Sequence, residues 1–552
     1  MLAAATLLLI ARTSYPLGGA CEPLPPNPSI VVVGGTAGGV IAAIAAARYG
    51  TSQVLLLELG THLGGMVSSG LGWTDGKPSG GIAAEFFAKA GSIHVTPAAA
   101  ERIFDEMVQN ETLITVVRNC GVVAASRRGG RIESIVVDGG ATVTAKMFID
   151  ATYEGDLMAL AGVNYTVGRE DASEFNEPVA GGRLPTPPIW GCGCNWNFGN
   201  GVDGRNATSG APLAMIHAVA PLAPLGAGDA KVQSYNFRLC LTKNRSNFRP
   251  LPKPTAYSPD RWELARRAVV AKNQQGGSSV VTLASDFLRP TPLPASGGKT
   301  DSNNKGGLSS DFVGGSWEWP DANRTHRAAL WEQHKQYTLE LFHFLRTDPS
   351  VGAQVREDMA SWGLCADEFI DTEGWPHQLY VREARRLRSD FVFSLSDRIS
   401  DNTKEDSIAL GDYNIDGHMV QRVLLENGTV TNEGCLSGYA EEEHSLPTRF
   451  EIPFRVMVPR RGEAQNLLVT CAISATHVGS GPLRLEPQYM NMGHAAGVAA
   501  VMAGEGAVQD VNVIRLQAKL IAQGVQLKLG PSPAPRSTRS AKPKLKPETM
   551  EV

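Results

Sequence analysis

The sequence predicts an α/β fold: a Rossmann-like domain, three-layered around a mostly parallel sheet, interrupted by an inserted α+β domain. Three observations predict it. Between Ser29 and Glu58 a β-branched run, a glycine-rich turn, an Ala-rich run and a second aliphatic run succeed one another. Near residue 466 an aliphatic run and a small-residue helix of the same character return. Between about Glu170 and Ser445 the texture differs, loop-rich and then helical, as expected of a chain that leaves one domain and comes back. At about 150 residues per domain, 552 residues exceed one ordinary core.

The first element is Ile30-Val-Val-Val33, a continuous β-branched run of the kind that forms a strand buried on both faces. Gly34-Gly-Thr-Ala-Gly-Gly39 makes the turn, and Val40 to Arg48 make an Ala-rich helix. Val54-Leu-Leu-Leu57 is the second strand, with Glu58 at its tip. Gly34 permits the tight turn and Gly39 lets the helix pack closely. The helix N-terminus then aims free N–H groups at a pyrophosphate. Glu58, 24 residues after Gly34, is placed to accept hydrogen bonds from ribose hydroxyls, and an acid there disfavours a 2′-phosphate. Thr36 stands where the middle glycine of the G-x-G-x-x-G fingerprint is usual.

The segment after Glu58 favours FAD over NAD. Thr61-His-Leu-Gly64-Gly65-Met66 comes directly after the acid. It resembles FAD-dependent oxidoreductases with a glutathione-reductase-like FAD domain, which place a Gly-Gly pair here. Phe148-Ile-Asp-Ala-Thr-Tyr153 is similar to their strand-end Ala-Thr-Gly segment, with tyrosine in place of glycine. Asn466 to Thr470 reads as a strand and Gly493-His-Ala-Ala-Gly-Val-Ala-Ala500 as a small-residue helix. In the flavoproteins this chain resembles, the chain returns to the FAD domain here and a helix N-terminus faces the flavin pyrimidine ring. The resemblance implies FAD as cofactor, held by Gly34, Gly35, Thr36, Ala37, Gly38, Gly39, Glu58, Gly64, Gly65, Met66, Asp150, Ala151, Thr152, Gly493, Ala495 and Ala496. No second complete glycine fingerprint occurs, so a dedicated NAD(P)H domain is not expected.

The insertion carries three dense polar-aromatic strings, Lys299 to Asn304, Gly374 to Arg386 and Ser407 to His418, and one clear helical periodicity from Ala322 to Leu345. Arg327, Leu330, Trp331, His334, Tyr337, Leu341 and Phe344 share one face. With Pro453 to Pro459, these strings resemble the branch of FAD-dependent oxidoreductases often labelled xanthan-lyase-like, over roughly residues 29–505. Tyr380-Val-Arg-Glu-Ala-Arg-Arg386 is the most specific string.

Four residues, His477, His418, Arg382 and Arg484, lead the candidates for catalysis, with rivals beside them. His477, taken to sit on the loop before the last helix, His418 and the further rival His377 are candidate bases. Arg382, with Arg385 and Arg386, either forks onto a substrate anion or pairs with Glu383. Arg484 either anchors substrate or pairs with Glu486. Trp73 and Asp75 line the cavity or close a turn.

Hydrophobic residues make up 43% and charged residues 19%, which excludes wholesale disorder. A net charge of -4 argues against nucleic acid as a partner. The excess of glycine, 59 residues, suggests backbone brought close to something bound. Met1 to Ala11 is too short to span a bilayer and has the length of a signal-peptide core, with small residues at Gly18-Gly-Ala20. Six Asn-x-Ser/Thr sequons and eight cysteines fit a secreted glycoprotein with disulfides of open connectivity. Cys192-Gly-Cys194 has no second pair or nearby histidine, so no metal site is expected. The expected organisation is a signal peptide (1–20), an FAD domain (28–170), an inserted substrate domain (171–445), the return to the FAD domain (446–512) and a disordered tail (531–552). The expected function is oxidation of a small organic molecule by hydride transfer to flavin, with oxygen or another electron acceptor. The alternatives are a polysaccharide-processing, lyase-like protein and a non-catalytic FAD-binding protein.

Overall fold

The computed structural model describes residues 15–19, 21, 23–183, 198, 202–222, 224–276, 280–436 and 448–530. The leader run, Cys192 and Cys194, and the basic tail lie outside the described residues.

Five short strands build the first sheet: β1 (Ile30–Val33), β2 (Val54–Leu57), β3 (Ile114–Val117), β4 (Met147–Asp150) and β5 (Leu467–Val469). Their spatial order is β5-β4-β1-β2-β3, and every pair is parallel. The fold is α/β with a Rossmann-like parallel sheet. Period-two alternation divides the strand side chains between two cores. Ile30, Val32, Leu56 and Ile149 face helix α1 (Ala37–Tyr49). Val31, Val33, Leu55, Leu57 and Phe148 face an antiparallel meander, Val122–Arg128, Arg131–Val137 and Thr142–Val143. Helix, parallel sheet and meander are the three layers. β1, β2 and β4 are buried along their whole length, which is why their sequences do not alternate.

The middle of the chain forms a second sheet of five strands, all antiparallel: Phe248–Arg249, Gly363–Cys365, Leu239–Thr242, Lys299–Asn304 and Leu288–Pro292, in that order. Lys299–Asn304, polar in every position, is an interior strand here and no loop. It tolerates burial because its polar groups are paired: Asp301 takes a two-pronged grip from Arg238 at 2.7 and 2.6 Å, and Thr300 donates to the Leu241 carbonyl. Helix α2 (Arg324–Thr347) buries the face its periodicity marked, from Arg327 through Phe344.

Beyond β5 the chain makes α3 (His477–Leu483) and α4 (Glu486–Ala503), and α4 packs along α1. Structured chain continues to residue 530, past the expected end at 512, with a helix at Val513–Ala522. Among the described residues, the disulfides Cys21–Cys120 and Cys240–Cys365 cross-link distant segments, and Cys471 is a free buried thiol.

Candidate active site

The turn after β1 can be built from few residues other than glycine. Gly34 has φ +98°, and a Cβ there would lie 2.8 Å from the Ala151–Thr152 backbone. A Cβ on Gly39 would fall 1.9 Å from the Gly34 carbonyl oxygen. Thr36, the departure from the fingerprint, is the N-cap of α1. Its hydroxyl accepts from Gly39 N at 3.1 Å and donates to the Ala151 carbonyl at 2.8 Å. A glycine at that position would leave both jobs undone. Ala37 and Gly38 are buried at the start of the helix, and a Cβ on Gly38 would lie 2.9 Å from the Tyr489 carbonyl.

At the tip of β2, Glu58 accepts from Gly35 N and Gly60 N, both at 2.6 Å. Burial raises its carboxyl above the usual range, and the two N–H donors oppose that rise. Each oxygen keeps a lone pair for a further donor. Glu58, Thr36, Gly60, His62 and Gly65 line a cavity of ≈ 240 Å³. An adjoining cavity runs from Gly34 and Glu58 past Thr152 and Tyr153, with Tyr15 and Pro16 at its edge.

The glycine pair closes the other side. Gly64 donates to the Gly35 carbonyl at 2.7 Å, and a Cβ on Gly65 would lie 2.4 Å from the Tyr153 hydroxyl. That hydroxyl accepts from Met66 N at 2.9 Å and donates to Glu486 at 2.6 Å. Tyr153 therefore replaces the usual glycine with a hydrogen-bonded strut. Burial raises Glu486 to about 8, the Tyr153 bond opposing it. One Glu486 oxygen and both polar atoms of the Gln488 side amide have no partner among the described residues, though both residues are buried. These groups sit in the first turn of α4, where free N–H groups also point.

Two expectations change here. The helix starts at Glu486, seven residues before Gly493, so Gly493, Ala495 and Ala496 are in its interior. A Cβ on Gly493 would lie 2.0 Å from the Gly38 carbonyl, and one on Gly497 2.3 Å from the Ala42 carbonyl. These small residues let α4 cross α1, and the turn with orphan polar groups is Glu486–Tyr489. Asp150 is fully buried and turned away from the cavity. Its carboxylate accepts from Thr152 and from Met158 N, and burial lifts it to about 6.

Residues 29–520 match the family described as FAD dependent oxidoreductase. The chain belongs to that family. FAD is its cofactor. The residues present fit it: a glycine cradle that no Cβ could share, an acid at the ribose position, and an orphaned amide at a helix N-terminus. Partial matches to solved structures are similar to this oxidoreductase only over short stretches. Thioredoxin reductase of T. acidophilum is 19% identical, covering 23% of this chain and 35% of its own, with TM-score 0.17. L-proline dehydrogenase of P. horikoshii is 16% identical, covering 27% and 59%, with TM-score 0.19. GidA of Aquifex aeolicus is 14% identical, covering 27% and 34%, with TM-score 0.21. The chain thus spans between about a third and three fifths of these proteins. No curated protein matches it.

The expected catalytic residues of the oxidoreductase are mostly locked in ion pairs. His477 opens α3 and is on no loop. It is 1% exposed, with Nδ1 2.7 Å from Glu383. Against burial, His477 and Arg386 hold Glu383 down to about 2. His418 Nδ1 lies 2.7 Å from Asp311, and Arg382 grips the other Asp311 oxygen at 2.9 Å. Arg386 pairs with Glu170 and Glu383, and Arg385 with Asp156 and Asp321. These arginines order the insertion and offer no free cation to a substrate carboxylate. His377 stacks on His62 at 3.7 Å, far down the groove at the Glu58 end. Arg484 pairs with Asp416 at 2.6 Å, and Glu486 is not its partner.

A cluster of half-buried side chains, Trp73, Asp75, Tyr380 and Tyr413, lies around Arg484, just before α4. Arg484 donates to the Tyr380 hydroxyl at 3.0 Å, and the Arg382 and Arg238 guanidiniums lie 4.8 and 5.9 Å from the Tyr380 ring centre. Burial first, then the charges of Asp416 and Asp75, raise Tyr413. Burial also raises Asp75, with Arg238 opposing. Trp73 stacks on His94 at 3.7 Å, and its backbone N–H donates to Asp301 at 2.9 Å. Tyr380 heads the most specific string in the sequence, yet the charge pattern of that string points to its arginines.

Proposed function

We propose that this flavin enzyme oxidises a small alcohol or amine of no net negative charge. In this reading oxygen or another diffusible acceptor takes the electrons afterwards. Bound FAD supplies the hydride acceptor. The observation that carries the reading is Tyr380. Its oxygen already accepts from Arg484, and its own O–H has no acceptor among the described residues, so it can meet a substrate oxygen or nitrogen. Asp75, whose burial favours taking up a proton, is the base. The paired state of Arg382, Arg385, Arg386 and Arg484 supports a neutral or cationic substrate over a carboxylate. Gln488 and the first turn of α4 orient the cofactor ring, and Glu58 orients the ribose.

The test is an anaerobic panel of alcohols, amines and carboxylates, following flavin absorbance, with oxygen admitted afterwards. Bleaching by a neutral alcohol or an amine is the expected result. Bleaching by anionic substrates alone, or cleavage of uronate polymers with the flavin still oxidised, sinks it.

A further inference from the structure

We propose that the six Asn-x-Ser/Thr sites carry N-linked glycans, added as the chain enters the secretory pathway. The sites are Asn110, Asn164, Asn206, Asn244, Asn323 and Asn427. All six asparagines are exposed. Of the fourteen other described asparagines only four are, Asn27, Asn119, Asn176 and Asn512. If sequons arose by chance they would share the burial of asparagines in general, and they do not. A glycan on a buried asparagine would block folding, so selective exposure is the condition that glycosylation imposes.

The side amides suit the modification. In Asn206 and Asn427 the side-chain oxygen accepts from the backbone N–H two residues on, at 2.9 and 3.0 Å. This leaves Nδ2 with no hydrogen bond among the described residues. Asn323 uses its oxygen to cap α2 through His326 N at 2.9 Å, again with Nδ2 free among the described residues. Asn164 and Asn244 do spend Nδ2, on Glu463 and on the Gly297 carbonyl, and both bonds are at the surface.

A second observation is independent of the sequons. Cys21–Cys120 and Cys240–Cys365 are disulfides between segments 99 and 125 residues apart, and such bonds belong to an oxidising compartment. N-glycan transfer happens in that same compartment. In the transfer, Asn Nδ2 bonds to C1 of the first sugar of a lipid-diphosphate-linked oligosaccharide. The C1–O bond to phosphate breaks, the lipid diphosphate leaves, and the amide gives up one proton. No redox partner is needed.

The experiment uses the full chain, with its own N-terminus, made in secretory eukaryotic cells. Peptide mass spectrometry before and after enzymatic removal of N-glycans reads each site. Glycan on four or more of the six asparagines of secreted protein is the expected result. Glycan on three or fewer, or a chain recovered only from the cytosol, overturns the proposal. Occupancy is read on the native chain, so the outcome does not depend on any variant folding.

Discussion

The Tyr153 hydroxyl donates to Glu486 across 333 residues of chain, at 2.6 Å, and accepts from Met66 N. One phenol thus ties the glycine pair to the first turn of α4. Tyr153→Phe leaves a buried N–H and a buried carboxyl unpaired. It should cost about 1–3 kcal/mol of stability and weaken FAD retention. Denaturant unfolding and the flavin content of purified protein measure the two effects.

Glu486 also gives a pH dependence. Its folded value, about 8, lies above its ordinary value of 4.5, so between those limits the folded state binds more protons than the unfolded one. Stability from this group is full below about 4.5 and is lost as pH rises through 8. Thermal unfolding from pH 5 to 9 should show wild type losing ground relative to Glu486→Gln. Parallel curves for the two proteins would refute the assignment.

Arg382→Ala tests structure against substrate binding. It strands the fully buried Asp311 without its guanidinium. A loss of about 3–5 kcal/mol is expected. A well-folded variant with only a raised KM would restore Arg382 as an anchor.

Gly493→Ala drives a methyl to within 2.0 Å of the Gly38 carbonyl. Spreading the α1–α4 crossing should cost about 1–3 kcal/mol, seen as a lower Tm. A variant as stable as wild type would show that the crossing has slack.

Tyr380→Phe and Asp75→Asn should keep FAD and fold, since both side chains are only partly buried. Each should slow flavin reduction about 10²–10⁴-fold with whichever substrate bleaches the wild type. Stopped-flow reduction under anaerobic conditions decides it, and an unchanged rate removes the residue from the mechanism.

The nucleotide half of the site was legible because its parts are neighbours in sequence. Ile30 to Glu58 is a local unit, and each glycine's role follows from the turn it makes. The ring half was not. Tyr153, Glu486 and Arg484 owe their roles to partners 87 or more positions away in Tyr153's case, 333 in Glu486's and 68 in Arg484's. Small residues around Gly493 looked like a helix beginning, yet they mark a helix crossing. The better signal for the start was Pro487, which fits the first turn of a helix. Charged strings such as Tyr380 to Arg386 advertise function equally well when their charges are spent on one another.

The place of β5 in the sheet has a consequence for synthesis. β4 is finished at residue 150, but the neighbour that covers its outer side arrives only at residue 467. At about 5–20 residues per second, a ribosome leaves that strand edge bare for on the order of half a minute. Throughout that interval the whole insertion is emerging beside an open sheet whose core is apolar. The β4 edge is therefore a surface of the nascent chain that stays open to wrong pairing, and a chaperone that shields it matters more here than in a protein whose sheet is made in one pass.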